Sequence, residues 1–127
     1  MKVLNILGLI FLLLIIVVAA SMFYFSRGLD EVLNISINPV DLTDVEDGIY
    51  KGRYEYGRWT NELNVTVNNQ KITRIDIEKD VKIVQPELSS QLFERVIEKQ
   101  NTTVDAVSGG TVTCKAYLKS IENALNK

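Results

Sequence analysis

Residues 3–25 carry no charge, and this run limits what the chain can be more than any other feature. As a helix its 23 residues would extend roughly 34 Å at about 1.5 Å per residue, against about 30 Å of bilayer hydrocarbon. Inside a bilayer every backbone N–H and C=O must find its partner within the segment, so a helix is the form open to it. Two other uses of such a run exist. One is a cleavable signal peptide, for which Ala19, Ala20 and Ser21 offer small residues; the other is the buried helix of a soluble protein. The apolar run continues without a polar break through Met22, Phe23, Tyr24 and Phe25, and the last two suit the aromatic belt at a membrane interface. The expectation is an uncleaved single-pass anchor over residues 1–26. Lys2 and the α-amino group precede the run and Arg27 follows it. The positive-inside rule then places the N-terminus in the cytoplasm and the bulk of the chain outside it, in the cell membrane.

Charge excludes several classes of function. Lys2 is the only one of the 14 basic residues ahead of Arg27, so 13 bases face 16 acids beyond the anchor. A nucleic-acid binder needs a basic face, so no nucleic acid is expected as partner. There is no histidine. Histidine-ligated zinc or haem and Ser-His-Asp or Cys-His catalysis are therefore excluded within this chain. Cys114 is the only cysteine and can form no internal disulfide. No paired carboxylates stand out as a catalytic couple.

Residues 27–46 hold five acids, with Asp47 a sixth just beyond, one base and Pro39. They read as an acidic linker, a solvated spacer kept extended by like charge, with room for a short strand at 33–37. A folded domain is expected over 47–127. Residues 49–56 alternate, with Tyr50, Tyr54 and Tyr56 on one face. Residues 59–67 alternate more cleanly, with Trp59, Leu63, Val65 and Val67 against Thr60, Glu62, Asn64 and Thr66. Period 2 with aromatic and β-branched residues predicts strands with one wet face. Residues 68–71 (Asn-Asn-Gln-Lys) predict a tight turn, because asparagine tolerates positive φ, and 72–78 the return strand. After Pro86, which suits a first helical turn, the period changes. Leu88, Leu92 and Val96, with Phe93 and Ile97, predict one helix. Cys114, Tyr117, Leu118, Ile121 and Leu125 predict a second from about Thr113 to the end. The expected fold class is α+β: an N-terminal transmembrane helix, then a small domain in which two packed helices cover an antiparallel sheet.

The stretch that carries chemistry is 105–113, Asp-Ala-Val-Ser-Gly-Gly-Thr-Val-Thr. A glycine pair flanked by hydroxyls stands just before an amphipathic helix. The first N–H groups of a helix lack partners, and the helix dipole adds roughly half a positive charge, so an anion is welcome there. Gly109 and Gly110 permit close approach of a phosphate, and Ser108, Thr111 and Thr113 offer hydroxyl donors. A plain capped helix start after a loop uses the same residue types. Among the aromatics, Trp59, Tyr54 and Tyr56 could stack on a planar ring or serve only as core.

The nine residues resemble the flavinylation motif of the FMN-binding domain family, Asp-x-x-Ser/Thr-Gly-Ala-Thr. That covalently flavinylated domain occurs in the C subunit of the sodium-translocating NADH:quinone reductase and the G subunit of the Rnf complex. Residues 47–52 (Asp-Gly-Ile-Tyr-Lys-Gly) are similar to the family's opening strand, 65–77 to its hairpin and 115–125 to its closing helix, so the likeness covers the soluble domain. The resemblance implies FMN joined by a phosphoester to the hydroxyl of Thr111, with Ser108, Gly109, Gly110, Asp105 and Thr113 around it. It implies a separate FAD-dependent FMN transferase that supplies the activation a weak threonine nucleophile needs. It implies redox partner proteins or quinone-linked electron donors, for an electron carrier more than a stand-alone enzyme. Asp105 would serve the loop's hydrogen bonding or recognition by the transferase. Gly110 stands where the family has alanine, so Gly110→Ala is expected to keep or improve labelling. Cys114, where the family often has serine, reads as a packing residue. The rival reading is an anchored accessory or ligand-binding module of the same α+β class without flavin.

Overall fold

The structure, a computed structural model, describes residues 1–26 and 28–126. Arg27, the base beyond the anchor and first residue of the expected linker, and Lys127, the last of the expected domain, lie outside the described residues. Helix α1 spans Lys2–Ser26, is long and apolar enough to cross a membrane, and buries none of its residues. A helix folded into a soluble core would be covered by its own chain; this one is not.

The acidic stretch is packed, where a solvated spacer was expected. Helix α2, Leu29–Leu33, buries Val32 completely, and Val40 is buried further on. No strand forms at 33–37. The backbone from Leu33 to Pro39 is instead held by side chains of the C-terminal helix α4 (Thr111–Leu125) and its neighbours. Lys115 donates to the Leu33 carbonyl, Lys119 to that of Ser36 at 3.3 Å and Asn126 to that of Pro39 at 3.3 Å, while Glu122 accepts the Asn38 N–H. Asn101 Oδ1 accepts the Val40 N–H at 3.1 Å, and the Thr102 hydroxyl donates to the Asn38 carbonyl at 2.7 Å. Residues 28–46 therefore form a strap along α4. Its acids sit outside the packing: Asp30 and Glu31 occupy the first turn of α2, where the helix dipole favours negative charge, and Asp41 closes a turn onto Thr43 at 3.0 Å.

Three strands, β1 (Gly48–Tyr54), β2 (Asn61–Asn68) and β3 (Lys71–Lys79), form an antiparallel meander in sequence order. The β2–β3 turn is the expected tight one, with Asn69 at φ 52° and Gln70 at φ 62°. Two positive φ values match the twist of the flanking strands. Leu63, Val65, Val67, Ile72 and Ile75 face the core. The opposite face carries ion pairs, among them Lys51 with Glu62 at 3.0 Å and Arg53 with Glu62 at 3.2 Å. Trp59 is buried as expected but lies outside β2. A 3-10 turn, Gly57–Trp59, with Gly57 at φ 52°, separates β1 from β2.

Helix α3 (Pro86–Lys99) starts at its proline and buries Leu88, Leu92, Phe93 and Val96. The side chain of Gln100, just past its end, pairs with both backbone groups of Ile72, at 2.6 and 2.9 Å, and so continues the β3 edge. Helix α4 crosses β1 and β2 with Cys114, Tyr117, Leu118, Ile121 and Leu125 buried. It lies very close to β1: a Cβ on Gly52 would stand 1.9 Å from the Ser120 carbonyl oxygen, so glycine is required there. The buried Asn61 reinforces that contact by accepting the Ser120 hydroxyl at 2.6 Å and donating to the Trp59 carbonyl at 2.9 Å. The α+β architecture is as expected, with both helices on one face of the sheet.

Candidate functional site

The loop before α4 is fixed from both sides. Arg95 of α3 donates to the carbonyls of Asp105 and Ala106 at 2.9 and 3.2 Å. From α4, Cys114 Sγ accepts the Val107 N–H at 3.4 Å. Burial pushes the Cys114 thiol above its ordinary value, so it stays neutral and acts through packing, as its place on the apolar stripe implied. Gly109 takes φ +90° with open space around it, and Gly110 is the N-cap of α4, with no side chain capping the helix. Seen from α3, Gly110 is not free: a Cβ there would come 1.8 Å from Leu88 Cδ1.

Helix α4 begins at Thr111, two residues earlier than its apolar stripe indicated, because the stripe starts only where the first turn meets the core. Thr111 and Thr113 therefore both lie in the first turn, where N–H groups lack intrahelical acceptors. Thr111 is exposed and Thr113 half-buried.

Beside this helix start is a cleft of about 260 Å³. Part of its wall is polar and is built by Gly109, Gly110, Thr111 and Thr113. Another part is largely apolar and is built by Leu29 of α2, Trp59, Val81 and Ile83. Arg58 and Gln85 complete the wall, and no carboxylate lines it among the described residues. Arg58 lies over the Trp59 ring, 4.3 Å from its centroid. Its Nε is enclosed and has no hydrogen-bond partner among the described residues. A half-buried arginine with one enclosed, unpartnered nitrogen, in the same cleft as hydroxyls and free helix N–H groups, suits a ligand with negative charge.

The motif is thus divided. Gly109, Gly110, Thr111 and Thr113 line the cleft. Asp105 and Ser108 do not; both are exposed and border a separate depression with Arg95, Glu98 and Lys99. Of the three aromatics, Trp59 reaches the cleft. Tyr56 packs against Gly28, where a Cβ would come 2.1 Å from its ring. Tyr54 lies near Glu31, and its hydroxyl is pushed up by burial first and by that carboxylate second. The pattern of the sequence did not mark Leu29, Arg58, Val81, Ile83 or Gln85. They come from three separate connections, and no spacing rule links them to residue 111.

The sequence matches the family model of the FMN-binding domain over residues 57–126. The match runs from the turn that carries Arg58 and Trp59 to the end of α4, and so contains every wall of the cleft except Leu29. Comparison with curated proteins and with solved structures returned no match. Because the family match takes in more than half of the chain, including the cleft and the helix start beside it, this protein belongs to the FMN-binding domain family.

Proposed function

We propose that the chain is a membrane-anchored, extracytoplasmic electron carrier whose FMN is joined by a phosphoester to Thr111. The observation that carries this reading is the position of Thr111: an exposed threonine, the first residue of an uncapped helix, in the wall of a cleft that also has a largely apolar part. Bound FMN supplies a ring that takes up and gives back electrons. The first-turn N–H groups of α4, with Gly109 and Gly110 before them, would hold the negative charge of the phosphodiester. Leu29, Trp59, Val81 and Ile83 would keep water from part of the ring. A cleft of this size lies just below the range of about 300–1,000 Å³ usual for enclosed ligand sites. A ring left partly at the surface is suited to passing electrons to a partner.

No residue of the cleft can act as base toward Thr111, since the chain has no histidine and no carboxylate lines the cleft among the described residues. Activation would come from the FAD-dependent transferase. Thr111 Oγ1 would attack the FMN phosphorus of FAD, with AMP leaving and the hydroxyl proton passing to a base of the transferase. Asp105 and Ser108, exposed and outside the cleft, are placed to be read by that enzyme more than to touch the flavin. The anchor would be α1, with Lys2 on the cytoplasmic side, and electrons would come from redox proteins or quinone-linked donors. Family membership and the cleft at Thr111 both favour this reading over a flavin-free accessory module.

Co-expression of the full chain with such a transferase should add the mass of an FMN phosphoryl group and give a fluorescent band in a denaturing gel. Thr111→Ala should abolish both. Thr113→Ala should leave both intact and shift stability by no more than about 0.5 kcal/mol. Labelling that survives in Thr111→Ala and disappears in Thr113→Ala would move the acceptor by two residues. A wild-type chain that never labels would remove the covalent reading.

A further inference from the structure

Arg58 is set apart from the other described arginines. Arg53 pairs with Glu62 and Glu55, Arg74 with Asp76, and Arg95 with two loop carbonyls. Arg58 has no ion pair among the described residues, and its enclosed Nε has no hydrogen-bond partner there. Arg58 as a residue is half-buried, so it is this one nitrogen that the fold encloses without a partner, an unfavourable placement. The guanidinium is stacked on Trp59, which is itself buried. The turn beneath it is fixed by the Lys82 N–H donating to the Arg58 carbonyl at 3.1 Å, which joins it to the connection carrying Val81 and Ile83.

Its position in the cleft indicates which part of a ligand it meets. Arg58 and Leu29 also border a second crevice, against Met22 and Phe25 of α1, and none of residues 109–113 lines that crevice. Arg58 therefore lies where the cleft adjoins that crevice, a part of its wall that residues 109–113 do not share, and a ring tethered at Thr111 would reach it.

We infer that Arg58 is the counter-charge of the flavin ring and raises its reduction potential. This rests on the flavin reading above. Two electrons, taken from dithionite in the test below, and one proton leave the ring with one negative charge. A fixed guanidinium facing the ring, in a partly enclosed site, interacts more favourably with that charged form than with the neutral oxidised one. Arg58 is a positioning and tuning residue and takes no part in the attachment at Thr111.

The test uses the full chain, flavinylated by co-expression and held in detergent, as wild type, Arg58→Gln and Arg58→Lys. Intact mass gives the labelling yield, and equilibrium titration with dithionite gives the potential. Equal labelling is expected in all three. Arg58→Gln should lose about tenfold in preference for the reduced form, a midpoint about 30 mV more negative for a two-electron couple. Arg58→Lys should keep part of that preference, because it retains the charge but not the planar stack on Trp59. Equal potentials in wild type and Arg58→Gln would overturn the assignment and leave the flavin reading standing. So would loss of labelling in Arg58→Gln, which would place the cation in the attachment step. A wild type that never labels would overturn both.

Discussion

At the scale of single residues, Gly110 shows how a family position can be held by a neighbour. The motif led to the expectation that alanine there would keep or improve labelling. The structure adds a steric demand, since the added methyl would meet the terminal Cδ1 of Leu88, a buried residue of α3 whose side chain would have to shift. Gly110→Ala should therefore destabilise the chain by about 1–3 kcal/mol, the usual range for overpacking, and lower the labelling yield. Adding Leu88→Val shortens the opposing side chain by one methylene, and the double variant should cost less than the sum of the single ones. Chemical denaturation of the four chains measures the coupling; additive costs would show that Gly110 and Leu88 do not compete for space. Within the motif, the residues that reach the cleft were legible because they adjoin one another before a periodic helix. Arg58 was not legible. A lone arginine between glycine and tryptophan has no signature until the fold brings it into one cleft with residue 111.

At the scale of elements, period 2 and period 3.6 marked the strands and helices well, since each buries one face and the sequence alternates to match. The strap was missed for the same reason. Leu29, Val32, Ile37, Val40, Leu42 and Val45 pack on the core at irregular spacing, and the acids among and just after them suggested a solvated chain. Between elements, the contact most exposed to test joins α4 to the connection after β3. Tyr117, fully buried, donates its hydroxyl to Asp80 and packs edge-on against Phe93 at 5.6 Å. Burial first, and the Asp80 carboxylate second, push its ionisation far above the ordinary tyrosine value. A raised folded pKa contributes stability that is intact below the unfolded value, about 10, and is lost as pH climbs from there towards the folded value. Stability should therefore fall as pH rises past about 10. Tyr54 and Lys51, also raised, add to the fall in the same direction. Tyr117→Phe should be less stable than wild type at neutral pH and lose less on going alkaline. Denaturation midpoints across that pH range check this, and equal alkaline losses in the two chains would show that Tyr117 ionises freely.

At the scale of the whole molecule, the structure separates what lies outside the folded body from what belongs to it. None of α1 is buried, whereas α2 and the strap that follow it bury Val32 and Val40 and give carbonyls and N–H groups to α4. Two truncations distinguish the parts. Removing residues 1–25 takes away no core, so the remainder should be soluble and melt cooperatively. Removing residues 1–46 empties the sites of Val32 and Val40 and leaves Glu122, buried beside Lys119 at 2.5 Å, without its Asn38 donor. It also removes Leu29 from the cleft. Two vacated buried valines at about 1.5 kcal/mol or more each, with the lost hydrogen bonds at about 1 kcal/mol each, take up much of a stability of about 5–15 kcal/mol. The shorter fragment should therefore melt without cooperativity or not fold, and should not accept FMN. An anchor on α1 adds a third observation: the full chain should stay with membranes through a carbonate wash that releases the fragment lacking residues 1–25. If the fragment lacking 1–46 melts at the same temperature as the one lacking 1–25, the strap is a tether after all, and the acidic composition described it correctly.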